Sequence, residues 1–350
     1  MVGTDAHGVN GAPAMTDRPR IGDVARHAGV SVGTVSNAFN RPDLVADATL
    51  RRIEAAVDSL NYVRNESARQ LRSGQSRTIG LIVPDVANPF FTDVARGVED
   101  VTSAAGVLVI VCNSDSGVEK EQRYLRMLAE HQVLGILHVP AGQNGAPVRG
   151  RDRRVPLVLL DHTGPARGAC SVAVDDVSGG RLAVAHLLEA GHRRIGFVGC
   201  VAESPSQVTD RLAGAREAMG GAGRRETDLQ LVPTTSLTFE GGVEAGRTLV
   251  DMPARRRPTA IACVNDLLAI GIMQQVLRSG LRVPEDVAIV GYDDIAFATA
   301  AAVPLTSVRQ PRNLLGRHAA ELLLDETSNP RHRHTNVVFE PELIVRESSR

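Results

Sequence analysis

The sequence predicts an all-α helix-turn-helix head followed by an α/β core of two doubly wound parallel-sheet subdomains. Two short helical patterns joined by a glycine occupy residues 21–40, which is typical of a helix-turn-helix. From residue 78 onward, short apolar runs rich in branched residues alternate with helical stretches, as they do in parallel sheets. Because this alternation continues for roughly 270 residues, we expect two sheets with a ligand cleft between them.

The first helix of the head is predicted from Val24, Ala25 and Ala28, which recur at one-turn spacing. Gly29 then supplies a residue that can leave the helix with a positive φ angle, and Ser31 lies where an N-cap belongs. The pattern therefore predicts two helices of about two turns each, joined by a tight turn. An ordinary αα-hairpin with no role in nucleic-acid binding fits the same pattern.

The second helix is expected to begin with the small residues Val32 and Gly33 and to turn Thr34, Ser36 and Asn37 outward. Small and hydroxyl-bearing side chains let a helix approach base edges and phosphates closely. This surface is compatible with DNA binding, and the rest of the chain decides between DNA binding and a plain helical hairpin.

A third helix is expected after Asp47, which we predict to be its N-cap, with Leu50, Ile53, Val57 and Leu60 on one face. Three short helices in about 40 residues make a minimal core, as in other small DNA-binding heads.

A short linker helix is predicted after the head, between Asn65 as N-cap and Gly74 as the residue beyond its end. Two turns are too few for stability in water, so this helix should order only when something packs on it. Leu71 is its one large apolar residue and is flanked by Arg69 and Arg72. Residues 1–18 show no periodicity and are expected to be a disordered tail.

The composition indicates a globular chain with an asymmetric charge distribution. The 350 residues carry a formal net charge of −1, but residues 18–77 contain ten arginines against six acidic residues. A basic head on an acidic body fits a partner that is polyanionic at one end only. The four cysteines lack metal-ligand spacing and are expected to be buried thiols. No apolar run of 18 residues and no signal-peptide pattern is present, so we expect a cytoplasmic protein.

The core is predicted to alternate strands and helices in chain order. Strands are expected at residues 79–83, 107–112, 135–139, 157–160, 194–199, 230–232, 260–264 and 287–292. Helices are expected at residues 91–105, 118–131, 179–190, 208–219, 241–249, 266–279 and 313–326.

Several stretches of this chain resemble the LacI/GalR family of transcription regulators. The head and linker do so through Ile21-Gly-Asp-Val-Ala25, Thr34-Val-Ser36, Asn61-Tyr62, Asn65, Ala68, Leu71 and Arg72. Residues 79–91, 191–199, 265–271, 283–294, 305–311 and 345–348 resemble that family's periplasmic-binding-protein-like core. The chain departs from the family pattern at Asn37, Leu50 and Arg64. The match runs in order and at family spacing over roughly residues 20–348.

The resemblance implies a repressor that binds a palindromic DNA operator as a homodimer. It also implies that the repressor binds a small-molecule effector, which the chemistry of the predicted cleft suggests is sugar-like. Leu71 matches the family leucine that wedges between base steps in the minor groove; the alternative is contact between the linker and the core. The DNA-binding residues that it implies are Ser31, Val32, Gly33, Thr34, Ser36, Asn37, Tyr62, Asn65, Ala68 and Leu71.

The effector-binding residues that the resemblance implies are Phe90, Asp161, Arg211, Asn265 and Asp293. They follow predicted strands or begin the next helix, where α/β clefts place ligands, except Phe90. Arginine, carboxylate and amide groups suit a polyhydroxylated ligand such as a sugar. Each has a structural alternative: core packing for Phe90, a helix cap for Asn265, a solvated turn for Asp293 and a surface ion pair for Arg211.

The expected domains are a tail at 1–18, a helix-turn-helix domain at 19–64, a hinge at 65–77 and the ligand-binding and dimerisation core at 78–350. Within the core we expect one subdomain from 78–173 plus 308–328 and another from 174–307 plus 329–350.

No other chemistry is predicted. No phosphate-binding glycine loop or nucleophile motif appears, so we expect neither an enzyme nor a cofactor. Residues 331–334, Arg-His-Arg-His, have a metal-binding composition but lie in a polar loop beside Pro330, and we expect no metal there. A transport-type binding protein would share the core but would have no use for the head.

Overall fold

A computed structural model describes residues 19–63, 76–142, 155–163, 168–199, 205–225 and 228–350. The chain divides into two compact units, residues 1–75 and residues 76–350. The predicted tail and nearly all of the predicted hinge, including Asn65, Ala68 and Leu71, lie outside the described residues. Within the described part of the chain, no helix is both long enough and apolar enough to cross a membrane.

The described residues of the first unit form the predicted three-helix head, with helices α1 (Ile21–Ala28), α2 (Val32–Asn40) and α3 (Asp47–Ser59). Gly29 ends α1 with φ +64°, and the backbone N–H of Thr34 donates to the Ser31 hydroxyl oxygen at 3.1 Å. The turn and the N-cap that the sequence predicts are therefore confirmed.

The core of the head is small and apolar. Its buried members come from all three helices: Val24, Ala25, Ala28, Val35, Ile53 and Ala56. The prediction that Asp47 caps α3 is wrong, because Ala46 is the N-cap and Asp47 is the first helical residue. A carboxylate in the first turn still interacts favourably with the helix N-terminus, which explains its place in the sequence.

The second unit contains two six-stranded sheets. Their strands are β1 (Thr78–Val83), β2 (Leu108–Asn113), β3 (Gly135–His138), β4 (Leu157–Leu160), β5 (Cys170–Val174), β6 (Ile195–Val198), β7 (Leu229–Val232), β8 (Ala260–Cys263), β9 (Ala288–Asp293), β10 (Thr306–Arg309), β11 (Asn336–Phe339) and β12 (Glu342–Ile344). The first sheet has the order β11-β5-β4-β3-β1-β2, and the second has the order β12-β10-β9-β8-β6-β7. All pairs are parallel except β10 with β12. This is the predicted fold class of two doubly wound sheets.

Among the described residues, eight α-helices connect these strands. They are α4 (Pro89–Ala104), α5 (Val118–Glu130), α6 (Asp176–Glu189), α7 (Ser206–Gly221), α8 (Phe239–Asp251), α9 (Asp266–Arg278), α10 (Ala296–Ala300) and α11 (Arg312–Ser328). In the first subdomain α4 packs against α11, and in the second α6 packs against α7.

The helix pair α6 and α7 approaches closely at two glycines. A Cβ on Gly180 would lie 1.9 Å from the carbonyl oxygen of Arg211, and one on Gly214 would lie 1.8 Å from that of Val177. Glycine at these positions allows the backbones of α6 and α7 to pack closely together, and this packing sets the position of Arg211 on α7.

The chain crosses between the two sheets three times, after β5, after β10 and after β11. Placing all of residues 329–350 in the second subdomain is wrong, because β11 pairs with β5 in the first sheet and only β12 joins the second. Strands β5, β10, β11 and β12 were not predicted. Each has three to five residues, too few for a periodic pattern to separate a strand from a loop.

Candidate DNA-binding surface and effector cleft

The predicted recognition surface of the head is the start of α2. Ser31, Val32, Gly33 and Asn37 are exposed there. Thr34 is half-buried, and its hydroxyl hydrogen-bonds to that of Ser31 at 2.9 Å. The N-terminal turn of α2 therefore presents the hydroxyl groups of Ser31 and Thr34, the apolar side chain of Val32, and Gly33, which has no side chain.

The remaining predicted DNA-binding residues differ in setting. Ser36 is half-buried, and Asn40 donates to its backbone oxygen at 2.9 Å. Tyr62 is half-buried and stacks on Phe39 with ring centroids 6.2 Å apart and planes 15° apart. This stacking holds the segment after α3 against α2. Tyr62 therefore has a packing role, whether or not its hydroxyl group also contacts DNA.

Three predicted effector-binding residues come together between the two sheets of the second unit, where the effector cleft is predicted. Asp161 follows β4 of the first sheet, Asp293 ends β9 of the second sheet, and Arg211 lies on α7. All three are buried, with 7%, 3% and 6% of their surfaces exposed for Asp161, Asp293 and Arg211. Carboxyl ends of parallel strands from both sheets thus bring acidic groups to one cationic side chain.

Arg211 is held by contacts on several sides. Its Nε donates to Asp176 Oδ1 at 2.7 Å, and Nη1 donates to the carbonyl oxygen of Val264 at 2.6 Å. The guanidinium lies 3.7 Å from the ring centroid of Tyr292, whose hydroxyl donates to Asp176 Oδ1 at 2.9 Å. Burial alone would lower the pKa of Arg211, but the carboxylates around it, led by Asp176, raise that pKa. The alternative of a surface ion pair is excluded, because Arg211 is buried.

The carboxyl group of Asp161 has an oxygen atom without a hydrogen-bond partner among the described residues. This atom, Oδ1, is buried, and the Asp161 backbone has φ +52°. The side chain of Gln207, on α7, donates to its backbone oxygen. Burial and then the charge of Asp176 raise the pKa of Asp161 to about 7, against the opposing effect of Arg211. Near neutral pH this carboxyl group can therefore both donate and accept hydrogen bonds.

Asp293 joins the two subdomains. Gln310 donates to its Oδ1 at 2.7 Å, and burial raises its pKa to about 6. Arg312 donates to the backbone oxygens of Asp293 and Asp294, and its Nε donates to Asp93 on α4 at 3.0 Å. Arg312 therefore links the end of β9 to the first subdomain through hydrogen bonds and an ion pair.

The other predicted effector-binding residues have structural roles in this arrangement. Asn265 caps α9 by accepting from the backbone N–H of Leu268 at 2.9 Å, and its amide nitrogen donates to the carbonyl oxygen of Leu237 at 2.7 Å. Phe90 is buried in the core of the first subdomain, with its ring edge-on to Phe91 at 5.0 Å.

Two residues of the cleft, Asp176 and Tyr292, were missed by sequence reasoning. Asp176 is the first residue of α6, two positions after β5, and Tyr292 lies in β9 beside Asp293. Identification of β5 would have placed Asp176 at the carboxyl end of a parallel strand, which is where the sequence predicts the other acidic residues of the site.

Comparison with known proteins places this geometry in a family. Residues 20–65 match the model described as bacterial regulatory proteins, lacI family, and residues 184–349 match the periplasmic binding protein-like domain. The chain is 36% identical over 331 residues to the HTH-type transcriptional repressor PurR of Photobacterium profundum, covering 94% of this chain and 98% of that repressor. The chain belongs to the lacI family.

Solved structures of lacI-family regulators agree with the fold of this chain. The transcriptional regulator CelR in complex with cellobiose is 33% identical with a TM-score of 0.69, covering 95% of this chain and 100% of that one. The lac repressor dimer bound to operator and the anti-inducer ONPF is 27% identical with a TM-score of 0.80, covering 95% of this chain and 99% of that one. This lacI-family member is a DNA-binding transcriptional repressor and not an enzyme.

Proposed function

We propose that this lacI-family protein is a cytoplasmic homodimer that represses transcription at a palindromic operator and is switched by a neutral sugar or sugar derivative. The observation that carries the effector assignment is the buried cluster of Asp161, Asp176, Arg211 and Asp293 between the two sheets. Three carboxyl groups face one guanidinium, whose Nε and Nη1 are already bonded to Asp176 and Val264.

The charge of this cluster favours a ligand with many hydroxyl groups and no phosphate. Carboxylates accept hydrogen bonds from sugar hydroxyls, whereas a phosphate placed among them would be repelled. The unpartnered Oδ1 of Asp161 is a ready acceptor for such a hydroxyl. The similarity to CelR, which was solved with cellobiose, supports a sugar as the ligand class.

The DNA contacts are assigned to the start of α2 together with the hinge. Ser31, Thr34, Ser36 and Asn37 would contact backbone or bases, and Val32 and Gly33 would lie against base edges. Because this surface carries few long side chains, specificity would depend strongly on the hinge and on DNA deformability. In the hinge, Asn65 and Ala68 would line the minor groove, Leu71 would insert between base steps, and Tyr62 would orient the hinge.

An exposed apolar surface on the first subdomain supports a homodimer. Leu108, Ile110 and Val111 on the edge strand β2 are 63%, 43% and 45% exposed, and Met127 on α5 is 44% exposed. Apolar side chains at a sheet edge are costly in water and are typical of a protein interface. The lac repressor, to which the chain is similar, was solved as a dimer. We expect light scattering to report a dimer, and a stable tetramer or a monomer would contradict this assignment.

The switch would act through cleft closure. Gln207 and Arg312 already link the two subdomains across the cleft, and Thr163 donates to Asp210 there at 2.9 Å. A ligand that binds the closed form better shifts the population toward it, which would set whether the paired hinge helices can form on DNA.

A thermal-shift screen of neutral sugars, sugar phosphates and nucleobases tests the ligand class, since a ligand of the native state raises its melting temperature. We expect neutral sugars to stabilise the protein, and Arg211→Met to abolish the response. A response confined to sugar phosphates or nucleobases would contradict the proposal.

DNA selection from a random duplex library, followed by mobility shifts, tests operator binding. We expect a palindromic site whose affinity falls steeply with salt. Leu71→Ala should weaken binding to that site, whereas Leu44→Ala, at a leucine that is 69% exposed and outside α2, should not. Equal effects of the two substitutions would contradict the assigned role of Leu71.

A further inference from the structure

Four metal-ligating side chains meet at the outer edge of the first sheet, away from the effector cleft. Cys170 begins β5, Glu326 lies near the end of α11, and His332 and His334 lie in the loop that leads into β11. One potential ligand atom from each residue lies within 4.8 Å of the others. The two histidines lie 162 and 164 residues from Cys170 along the chain, so only the fold brings this set together.

The distances within this set suit a tetrahedral ion. Cys170 Sγ lies 3.3 Å from His332 Nε2 and 3.9 Å from His334 Nδ1. Zinc–sulfur and zinc–nitrogen bonds of about 2.3 and 2.05 Å at a tetrahedral angle would separate sulfur and nitrogen by about 3.6 Å. The two observed separations lie on either side of that value, so small side-chain rotations would complete the geometry.

Neighbouring residues orient the potential metal ligands. Asp325 Oδ2 lies 2.7 Å from His332 Nδ1, so the proton belongs on Nδ1 and the lone pair on Nε2 faces Cys170. The backbone N–H of Thr335 donates to Cys170 Sγ at 3.4 Å, which holds the sulfur in place beside the two histidines. The Glu326 Oε2 atom is buried with no hydrogen-bond partner among the described residues, which is costly unless something else binds it.

The donor set selects the kind of ion. A thiolate, two imidazoles and one carboxylate disfavour Mg²⁺ and Ca²⁺, which prefer oxygen ligands alone, and suit Zn²⁺. The thiolate and the carboxylate together balance its charge. Arg331 and Arg333 alternate with the two histidines but are exposed, so their charges are screened by solvent.

We propose that Cys170, Glu326, His332 and His334 form a structural Zn²⁺ site, with Asp325 orienting His332. Four protein ligands leave no open position, which is typical of a structural site and not a catalytic one. The ion would fasten the loop after α11 to the start of β5. There β11 forms the sheet edge and pairs with β5, and the hydroxyl of Ser171 also donates to Asn336 Oδ1 at 3.0 Å.

The tetrapeptide Arg331-His-Arg-His334 is expected from the sequence not to bind metal, because it lies in a polar loop beside Pro330. Cys170 and Glu326 complete the set only in the folded chain, so the proposal revises that expectation.

Metal titration of the full-length protein after EDTA treatment tests the site, with Zn²⁺ in competition with a chromogenic chelator and with Co²⁺ as a spectroscopic probe. We expect one ion per protomer, visible bands of tetrahedral Co²⁺ and a near-ultraviolet sulfur-to-cobalt band. Cys170→Ser should remove the sulfur band, and Asp325→Asn should weaken binding about 10- to 100-fold. Cys112→Ser, which removes another buried thiol of the same subdomain, should change neither.

His334→Gln keeps the test decisive if Cys170→Ser does not fold, because His334 is exposed and its loss leaves the core intact. Weaker Zn²⁺ binding by His334→Gln, with an unchanged circular dichroism spectrum, would support the site. Substoichiometric Zn²⁺ binding by the unmodified protein, or a Co²⁺ spectrum unchanged in Cys170→Ser or His334→Gln, would overturn it.

Discussion

The carboxyl group of Asp161 should make the stability of the core depend on pH. Replacing it in Asp161→Asn removes the charge while keeping the shape, and asparagine tolerates the φ of +52° at this position. Because the pKa of Asp161 rises from 3.8 to about 7 on folding, the native state holds its proton more tightly than the unfolded state does. The group therefore costs nothing below about pH 4 and becomes destabilising as the pH rises to about 7.

The magnitude follows from the size of this shift. Each pH unit of difference corresponds to about 1.4 kcal/mol, so ionisation of Asp161 costs about 4 kcal/mol of unfolding free energy above about pH 7. We expect Asp161→Asn to match the unmodified protein near pH 4 and to exceed its stability by several kcal/mol at about pH 8.

Urea unfolding followed by circular dichroism from about pH 4 to about pH 8, at fixed protomer concentration, measures this difference. Asp251→Asn, at an exposed position, is the control and should leave the pH profile unchanged. A free-energy difference between Asp161→Asn and the unmodified protein that stays constant across this range would refute the burial argument for Asp161.

Three further substitutions test contacts seen in the structure by the same unfolding assay. Gly214→Ala should destabilise the core by about 1–3 kcal/mol, because its Cβ would overlap a carbonyl of α6, whereas Gly220→Ala has open space around it and should not; equal effects would contradict the packing argument. Arg211→Met should cost about 3–5 kcal/mol by leaving the carboxylate of Asp176 buried without its cationic partner, against less than about 1 kcal/mol for Arg181→Met in an exposed pair; similar losses would refute the role of the buried pair. Ser31→Ala should destabilise the head by about 1 kcal/mol through loss of its N-cap, and an unchanged melting temperature of the head would count against that cap.

The head shows how much local sequence can predict. Gly29 ends α1 and Ser31 caps α2 as expected, because both roles depend on backbone conformation and on a partner three residues away. Asp47 shows the limit of the same reasoning. A carboxylate is favourable both as N-cap and in the first turn, so its presence alone did not locate the helix start.

The alternation of strands and helices determined, from the sequence by itself, a core of two doubly wound sheets, because the end of each parallel strand is marked along the chain. Asp161, Arg211 and Asp293 were implied as site residues by the resemblance to the family, and the strand pattern agrees with their positions. Only the tertiary structure brought Asp176 to Arg211 and Tyr292, and Cys170 to His332 and His334. Those partners lie 35 to 164 residues apart, and sheet order, which depends on packing of the whole chain, decides which of them meet.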